Sequence, residues 1–165
     1  MENLPTATYT VLLVDDAPAV RQALRWALEN EWDMQVVGEA GTGPEALERA
    51  DALKPDVVIL DIELPGLDGY AVARALKTRP SAPAVLYLTV HSDAASRQRG
   101  SDAGGDGFVE KGGGWPELIA QVRRVLAHRP RPASARSDDP DLNITPTVTT
   151  QKKGKKRVRQ THRAQ

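Results

Sequence analysis

The chain alternates five times between short apolar runs and segments with apolar residues at helical spacing, and this alternation restricts its fold more than any other feature. The third run, Val57–Leu60, has four consecutive apolar residues and ends at Asp61. A strand with one exposed face would alternate polar and apolar side chains, so the unbroken run predicts a strand buried on both faces. Five strands that alternate with helices predict a parallel sheet covered on both sides.

The predicted elements have ordinary start and stop signals. Thr42 and Glu45 have the spacing of a capping box, and Asp68 stands where a side chain would cap the following helix. Pro80 ends the third helix, because proline cannot continue one. We expect strands at 9–15, 34–40, 57–60, 84–88 and 108–110, and helices at about 18–28, 42–53, 70–77, 93–99 and 116–126.

Four of the five strands end on side chains that can do chemistry. The first is followed by Asp15 and Asp16, the third by Asp61, the fourth by Thr89 and the fifth by Lys111. An open parallel sheet collects these ends at one edge, where ligands bind. The sequence therefore predicts a pocket that contains three acids, a hydroxyl and an amine.

This set of side chains favours metal-assisted phosphoryl transfer. Crowded carboxylates repel one another unless a cation lies among them, and oxygen ligands with room for water suit Mg²⁺. The Asp61 carboxylate has the chemistry to attack a phosphoryl group and form an aspartyl phosphate. Lys111 and Mg²⁺ would share the phosphoryl charge, and the Thr89 hydroxyl would donate to a further oxygen.

These residues resemble the receiver domain of two-component response regulators. The resemblance covers about residues 8–128 and rests on the acidic pair after the first strand, the threonine after the fourth, and two longer motifs. These motifs are Asp-x-x-x-Pro-Gly-x-Asp-Gly from Asp61 and Ala-Gly-x-x-Gly-Phe-x-x-Lys from Ala103. The resemblance implies an α/β, flavodoxin-like, doubly wound (βα)5 parallel sheet with strand order 2-1-3-4-5, as in chemotaxis regulators.

The resemblance also implies a role for each site residue. Asp61 would be the phosphoacceptor and Lys111 would bind the phosphate. Thr89 and Phe108 match the switch pair, in which the hydroxyl moves to the phosphate and the aromatic ring turns inward. Mg²⁺ would be held by Asp15, Asp16, Asp61 and the backbone carbonyl of Glu63.

We therefore expect a phosphorylation-switched signalling module that catalyses only its own phosphorylation and dephosphorylation, rather than an enzyme with a separate substrate. Its partners would be a histidine kinase or phosphotransfer protein, and a downstream protein or a second copy bound after phosphorylation. Glu63 and His91, each two residues beyond a site residue, would flank the phosphoryl group and influence its lifetime.

A dinucleotide-binding or phosphatase enzyme is the alternative from a different class. Gly41-Thr42-Gly43-Pro44-Glu45-Ala46 matches Gly-x-Gly-x-x-Ala between a strand and a helix, and Asp61 follows 20 residues later. Helix initiation explains the same residues, because Thr42 and Glu45 suit a capping box and Pro44 suits a first turn. A phosphatase would use Asp61 as its nucleophile but would leave Lys111 and Thr89 without a role.

The segment 129–165 has a composition unlike that of the rest of the chain. Residues 151–165 hold seven of the 22 basic residues and no acid, so residues 1–150 hold 15 basic and 22 acidic residues, a net charge of −7. Low hydrophobicity predicts a disordered basic tail with no visible output domain. A nucleic-acid-binding protein led by this tail is a third alternative, which we consider unfavourable because no aromatic residue interleaves the basic run.

The remaining composition excludes several classes of site. The chain has no cysteine, and its three histidines, at 91, 128 and 162, are too scattered for a zinc cluster. No window approaches the 18 or so apolar residues that a membrane span needs, and the N-terminus lacks a secretion signal. We therefore expect a cytoplasmic protein that does not contact a membrane.

Overall fold

The structure is a computed structural model that describes residues 8–90 and 92–129. Its strands are β1 (Tyr9–Val14), β2 (Met34–Ala40), β3 (Val57–Asp61), β4 (Ala84–Thr89) and β5 (Gly107–Glu110). Its helices are α1 (Pro18–Glu29), α2 (Gly43–Leu53), α3 (Gly69–Lys77), α4 (Ala94–Asp102) and α5 (Trp115–Ala127). The strands form one parallel sheet in the order β2-β1-β3-β4-β5, which confirms the predicted doubly wound fold.

Alternate residues of β3 enter the two hydrophobic cores on opposite faces of the sheet. Val57 and Ile59 join the core beneath α1 and α5. Val58 and Leu60 join the core beneath α2 and α3. All of β3 is buried, as its unbroken apolar run predicts, because each successive side chain of a strand meets a helix-covered face.

Local hydrogen bonds start the helices where the sequence predicts. The Asp68 carboxylate accepts from the N–H of Ala71 at 2.8 Å and caps α3, and Asp93 caps α4 by accepting from Ser96 at 2.7 Å. The predicted end of α4 near Arg99 is wrong, since the helix continues to Asp102. Only one α4 residue is buried, so apolar spacing carried no information about where this helix ends.

Two predictions concern residues that the structure does not describe. His91 and the segment 130–165 both lie outside the described residues, so the predicted role of His91 and the predicted disorder of the tail remain predictions. Within residues 8–90 and 92–129, no helix has both the length and the apolar character that crossing a bilayer requires.

Candidate functional site

Strand pairing brings the predicted site residues to one edge of the sheet. Val14 of β1 pairs with Leu60 of β3, so Asp15 and Asp61 follow neighbouring residues on adjacent strands. Thr89 ends β4 and pairs with Glu110 of β5. The next residue, Lys111, donates its backbone N–H to the carbonyl of Thr89 at 2.7 Å. The carboxyl ends of β1, β3, β4 and β5 therefore form one continuous site.

Asp61 is held in place by the turn that leaves β3. Its Oδ1 accepts from the backbone N–H of Glu63 at 2.9 Å, and only 3% of the residue is exposed. Gly69 begins α3 directly against this turn, and its N–H donates to the carbonyl of Ile62 at 2.9 Å. A Cβ at Gly69 would lie 2.4 Å from the carbonyl oxygen of Asp61, so this close approach requires glycine.

Lys111 lies between the two buried acids. Its Nζ is 2.7 Å from Oδ2 of Asp15 and 2.8 Å from Oδ2 of Asp61. Asp15 is completely buried, whereas the Lys111 side chain keeps 24% exposure. The single positive charge of the ammonium group therefore lies between two carboxylates from two different strands.

Burial and the opposite charge of the ion-pair partner act in opposite directions on the pKa values of Asp61 and Lys111. Burial raises the pKa of Asp61, the nearby Asp15 carboxylate adds to that rise, and the hydrogen bonds from Lys111 and from the Glu63 N–H oppose it without cancelling it. Burial alone would lower the pKa of Lys111, but the two carboxylates outweigh it and raise that pKa. Lys111 therefore stays protonated and is available to bind an anion.

The acidic cluster fits a divalent cation. Asp15, Asp16 and Asp61 each offer a carboxylate oxygen, and these oxygens lie within 4.8 Å of one another. Asp15 Oδ2 is buried, and the Lys111 ammonium lies 2.7 Å from it. Asp16 is exposed, which leaves one side of the cluster open to water. An all-oxygen donor set with room for water is what Mg²⁺ prefers.

The other predicted site residues lie around this cluster. Thr89 is buried at the end of β4, and the Glu63 side chain is exposed at the rim. Phe108 lies on β5, where it pairs with Tyr87, so it is diagonal to Thr89 across two adjacent strands. Its ring packs on Tyr87 with the ring centroids 4.9 Å apart. The structure therefore places the predicted switch pair on neighbouring strands.

Two contributors to the site were missed by the sequence analysis. Arg21 of α1 donates from its guanidinium to the backbone carbonyl of Asp15 at 2.6 Å, and the N–H of Ala17 donates to Asp15 Oδ1 at 2.8 Å. Both interactions hold Asp15 in the pocket. The position of Arg21, six residues after Asp15 on the first helix, was the only available signal, and it did not distinguish a site contact from a solvated side chain.

The structure argues against a nucleotide site at the glycine-containing loop. The N–H of Gly41 donates to the Glu45 carboxylate at 2.9 Å, and the N–H of Glu45 donates to the Thr42 hydroxyl at 3.3 Å. A dinucleotide site needs these backbone donors for a pyrophosphate, and the Glu45 carboxylate would repel that anion. The residues 41–46 therefore act as a helix start.

A family model and several known proteins are similar to this chain. The family model described as response regulator receiver domain matches residues 11–123. The chain is 36% identical over 138 residues to the transcriptional regulatory protein TrcR of Mycobacterium tuberculosis, a match that covers 81% of this chain and 52% of that protein. It is 37% identical over 117 residues to the response regulator GacA of Pseudomonas viridiflava, covering 71% of this chain and 55% of that protein. The chain thus spans about half the length of these relatives.

Solved structures of receiver domains are also similar to this chain. The signal receiver domain of NarL from Mycobacterium tuberculosis superposes with a TM-score of 0.71 at 33% identity, covering 74% of this chain and 98% of that one. The response regulator domain of CheB from Thermotoga maritima superposes with a TM-score of 0.69 at 30% identity, covering 74% of this chain and 99% of that one. The similarity therefore extends over nearly the whole of both solved domains.

Proposed function

The chain belongs to the family of response regulator receiver domains of two-component systems, and on that premise we propose that it is switched by phosphorylation of Asp61. The observation that carries this proposal is the position of Lys111, whose ammonium group bridges Asp61 and Asp15 at 2.8 and 2.7 Å. A carboxylate nucleophile beside a protonated lysine is suited to accept a phosphoryl group and to bind its charge.

In the proposed reaction, a carboxylate oxygen of Asp61 attacks the phosphorus of a phosphohistidine on a histidine kinase or phosphotransfer protein. The new phosphorus–oxygen bond forms as the phosphorus–nitrogen bond breaks, and the donor imidazole takes up a proton. Lys111 then leaves its ion pair with Asp61 and binds a phosphoryl oxygen. Thr89, at the neighbouring strand end, donates its hydroxyl to another oxygen.

Mg²⁺ is the cofactor that we propose for this step. Asp15, Asp16, Asp61 and the backbone carbonyl of Glu63 would hold it, and when bound it would supply positive charge that offsets the phosphoryl oxygens. The carboxylate oxygens of Asp15, Asp16 and Asp61, which lie within 4.8 Å of one another, support this assignment. We further propose that residues 8–128 constitute the receiver domain, which catalyses only its own phosphorylation and dephosphorylation.

The proposed output is a change at the surface near Thr89 and Phe108 that alters binding to a downstream protein or a second copy of the chain. Movement of the Thr89 hydroxyl toward the phosphate vacates space for the Phe108 ring, which links a local bond to a two-state surface. The absence of cysteine from the sequence agrees with action in the reducing cytoplasm.

Labelling with acetyl phosphate tests the assignment of the acceptor. With Mg²⁺ present, we expect one phosphoryl group on the intact protein, mapped by mass spectrometry to Asp61, and no labelling in Asp61→Asn. The matched control is Asp68→Asn, which keeps a good helix cap and should label normally. Chelation of Mg²⁺ should block labelling of the wild type. Phosphate mapped to a different residue in Asp61→Asn would refute the proposal.

An apolar surface of this protein lies beside the site and is available to the phosphoryl donor protein. A groove of about 500 Å³ lies between α1 and α5 and reaches Lys111, with Ala19 and Trp115 in its walls. Because the groove adjoins the lysine that must meet the phosphoryl group, we propose that the donor places apolar side chains there. Ala19→Glu should slow transfer from a phosphorylated donor and leave labelling by acetyl phosphate unchanged. Gln22→Glu, at an exposed position of α1 outside the groove, should change neither.

A further inference from the structure

Helix α4 is attached to the protein differently from the other helices. Its sequence, AASRQRGSD, has no apolar stripe, and its one buried residue is Gly100. A helix that buries no large side chain gains little from the hydrophobic effect. Its attachment must therefore come mainly from the groups on which its backbone and arginines lie.

Those groups are three aromatic rings beneath the helix. The hydroxyl of Tyr70 donates to the carbonyl of Ser96 at 3.3 Å, and the hydroxyl of Tyr87 donates to the carbonyl of Gly100 at 3.2 Å. The rings of Tyr70 and Tyr87 lie 5.5 Å apart, centroid to centroid, and the Phe108 ring follows at 4.9 Å from Tyr87. The stack thus runs from α3 to the predicted switch residue on β5.

Two arginines of α4 cover the ends of this stack. The guanidinium carbon of Arg99 lies 5.4 Å from the centroid of the Tyr70 ring, and that of Arg97 lies 5.9 Å from the centroid of Phe108. Both distances are within the range of cation–π attraction. The helix therefore depends on the rings for its position, and a shift of a ring changes what the helix contacts.

Two glycines make the room that the rings occupy. A Cβ at Gly100 would lie 2.2 Å from Cζ of Phe108 and 2.8 Å from Cε2 of Tyr87, and a Cβ at Gly105 would lie 2.1 Å from Cε2 of Tyr87. The carbonyl of Gly100 also accepts from the N–H of Gly105 at 2.9 Å. The end of α4 and the loop that follows it therefore enclose Tyr87. The rings of Tyr87 and Phe108 both lie against Gly100 of α4.

We propose that Tyr87 is the positioning residue that transmits the state of Phe108 to α4, through ring contact on one side and its hydrogen bond to Gly100 on the other. The proposal rests on the proposed function in that phosphorylation of Asp61 is what moves Phe108. When the Phe108 ring moves, Tyr87 loses its stacking partner, its hydroxyl shifts from the Gly100 carbonyl, and the last turn of α4 loosens. Burial raises the pKa of Tyr87, which keeps its hydroxyl protonated as a donor.

A double-mutant cycle in the unphosphorylated protein tests this link. Phe108→Leu removes the ring, and Tyr87→Phe removes the hydroxyl while keeping a ring of nearly the same size. The readout is amide hydrogen exchange of the peptide that covers residues 94–105, measured in both single variants, the double variant and the wild type. We expect Phe108→Leu to speed exchange about fivefold in the wild-type background, roughly the effect of one net hydrogen bond on an opening equilibrium. In the Tyr87→Phe background we expect less than a twofold effect.

Tyr70→Phe is the matched control. It removes a hydroxyl that holds the same helix at Ser96, so it should speed exchange of α4, but Tyr70 has no described ring contact with Phe108. We expect Phe108→Leu to keep its full fivefold effect in the Tyr70→Phe background. A merely structural role for Tyr87 would make the two tyrosine backgrounds behave alike.

The same samples treated with acetyl phosphate and Mg²⁺ separate the two proposals. Failure of the wild type to carry phosphate on Asp61 would count against the proposed function, while the cycle in the unphosphorylated protein would still decide the role of Tyr87. Equal effects of Phe108→Leu with and without the Tyr87 hydroxyl would overturn the inference. With phosphate on Asp61, a faster exchange of α4 in the wild type that is absent in Tyr87→Phe would support it.

Discussion

Replacing Lys111 with methionine should destabilise the protein in a way that a divalent cation reverses. The change removes the ammonium group that lies 2.7 Å from Asp15 and 2.8 Å from Asp61, which are 0% and 3% exposed. Methionine keeps the length and apolar character of the side chain, so the main loss is of charge. Breaking a buried ion pair costs about 3–5 kcal/mol, and because the Lys111 side chain keeps 24% exposure we expect the lower end, about 3 kcal/mol.

Urea unfolding at neutral pH, with EDTA or with Mg²⁺, measures both effects. At about 2 kcal/mol per molar urea, a loss of 3 kcal/mol lowers the midpoint by roughly 1.5 M in EDTA. A cation that binds only the folded state at about 100 times its Kd restores about 2.7 kcal/mol. We expect Mg²⁺ to raise the midpoint of Lys111→Met more than that of the wild type, because the ammonium group no longer competes for Asp15 and Asp61.

A second lysine supplies the control for this experiment. Lys77 pairs with Asp106 at 2.5 Å, outside the acidic cluster, and the Asp106 side chain is 39% exposed. Lys77→Met should therefore cost at most about 1 kcal/mol, and Mg²⁺ should not preferentially restore it. The reasoning fails if Lys111→Met is as stable as the wild type in EDTA, or if Mg²⁺ stabilises the two lysine variants equally.

Three further changes test other parts of the structure. Gly69→Ala should lower the free energy of unfolding by at least about 2 kcal/mol and slow labelling of Asp61, because the added Cβ would lie 2.4 Å from the Asp61 carbonyl oxygen. Urea unfolding measures the first effect and the acetyl phosphate assay the second. Glu39→Gln should cost about 1 kcal/mol at neutral pH, since Arg25 and Arg21 donate to Glu39 at 2.8 and 3.0 Å. Partial burial alone would raise the pKa of Glu39, but the two arginines outweigh burial and lower this pKa. The stabilisation by the arginines is therefore present above the ordinary pKa of 4.5 and is lost as the pH falls. The unfolding curves of Glu39→Gln and the wild type should accordingly converge in acid. Glu63→Ala should lengthen the half-life of the phosphoryl group if this exposed acid orients the attacking water, and an unchanged half-life would assign Glu63 to the solvated rim.

Local patterns in the sequence predicted where the strands lie and which side chains stand at their ends. The unbroken run Val57–Leu60 predicted a strand buried on both faces, and the structure confirms it. Asp68 was correctly predicted to cap α3. These predictions succeed because strand burial and helix capping depend on residues only a few positions apart.

Local patterns were less informative where a segment makes few apolar contacts. The end of α4 was predicted too early, because a helix that buries only Gly100 has no stripe to follow. The loop 41–46 satisfied both a helix start and a nucleotide motif, and the hydrogen bond from Gly41 to the Glu45 carboxylate decided between them. That bond depends on a side-chain rotamer, which a sequence pattern does not specify.

The order of residues along the chain places acids, a hydroxyl and an amine at strand ends, but their arrangement in space depends on how the strands pack. Lys111 reaches Asp61 across 50 positions of the chain because β3, β4 and β5 are neighbours in the sheet. Burial also separates two adjacent acids, since Asp15 is completely enclosed and Asp16 is exposed. The physical reason is that side-chain types are local properties of the chain, whereas distance, burial and the resulting pKa shifts arise from the packing of segments that are remote in sequence.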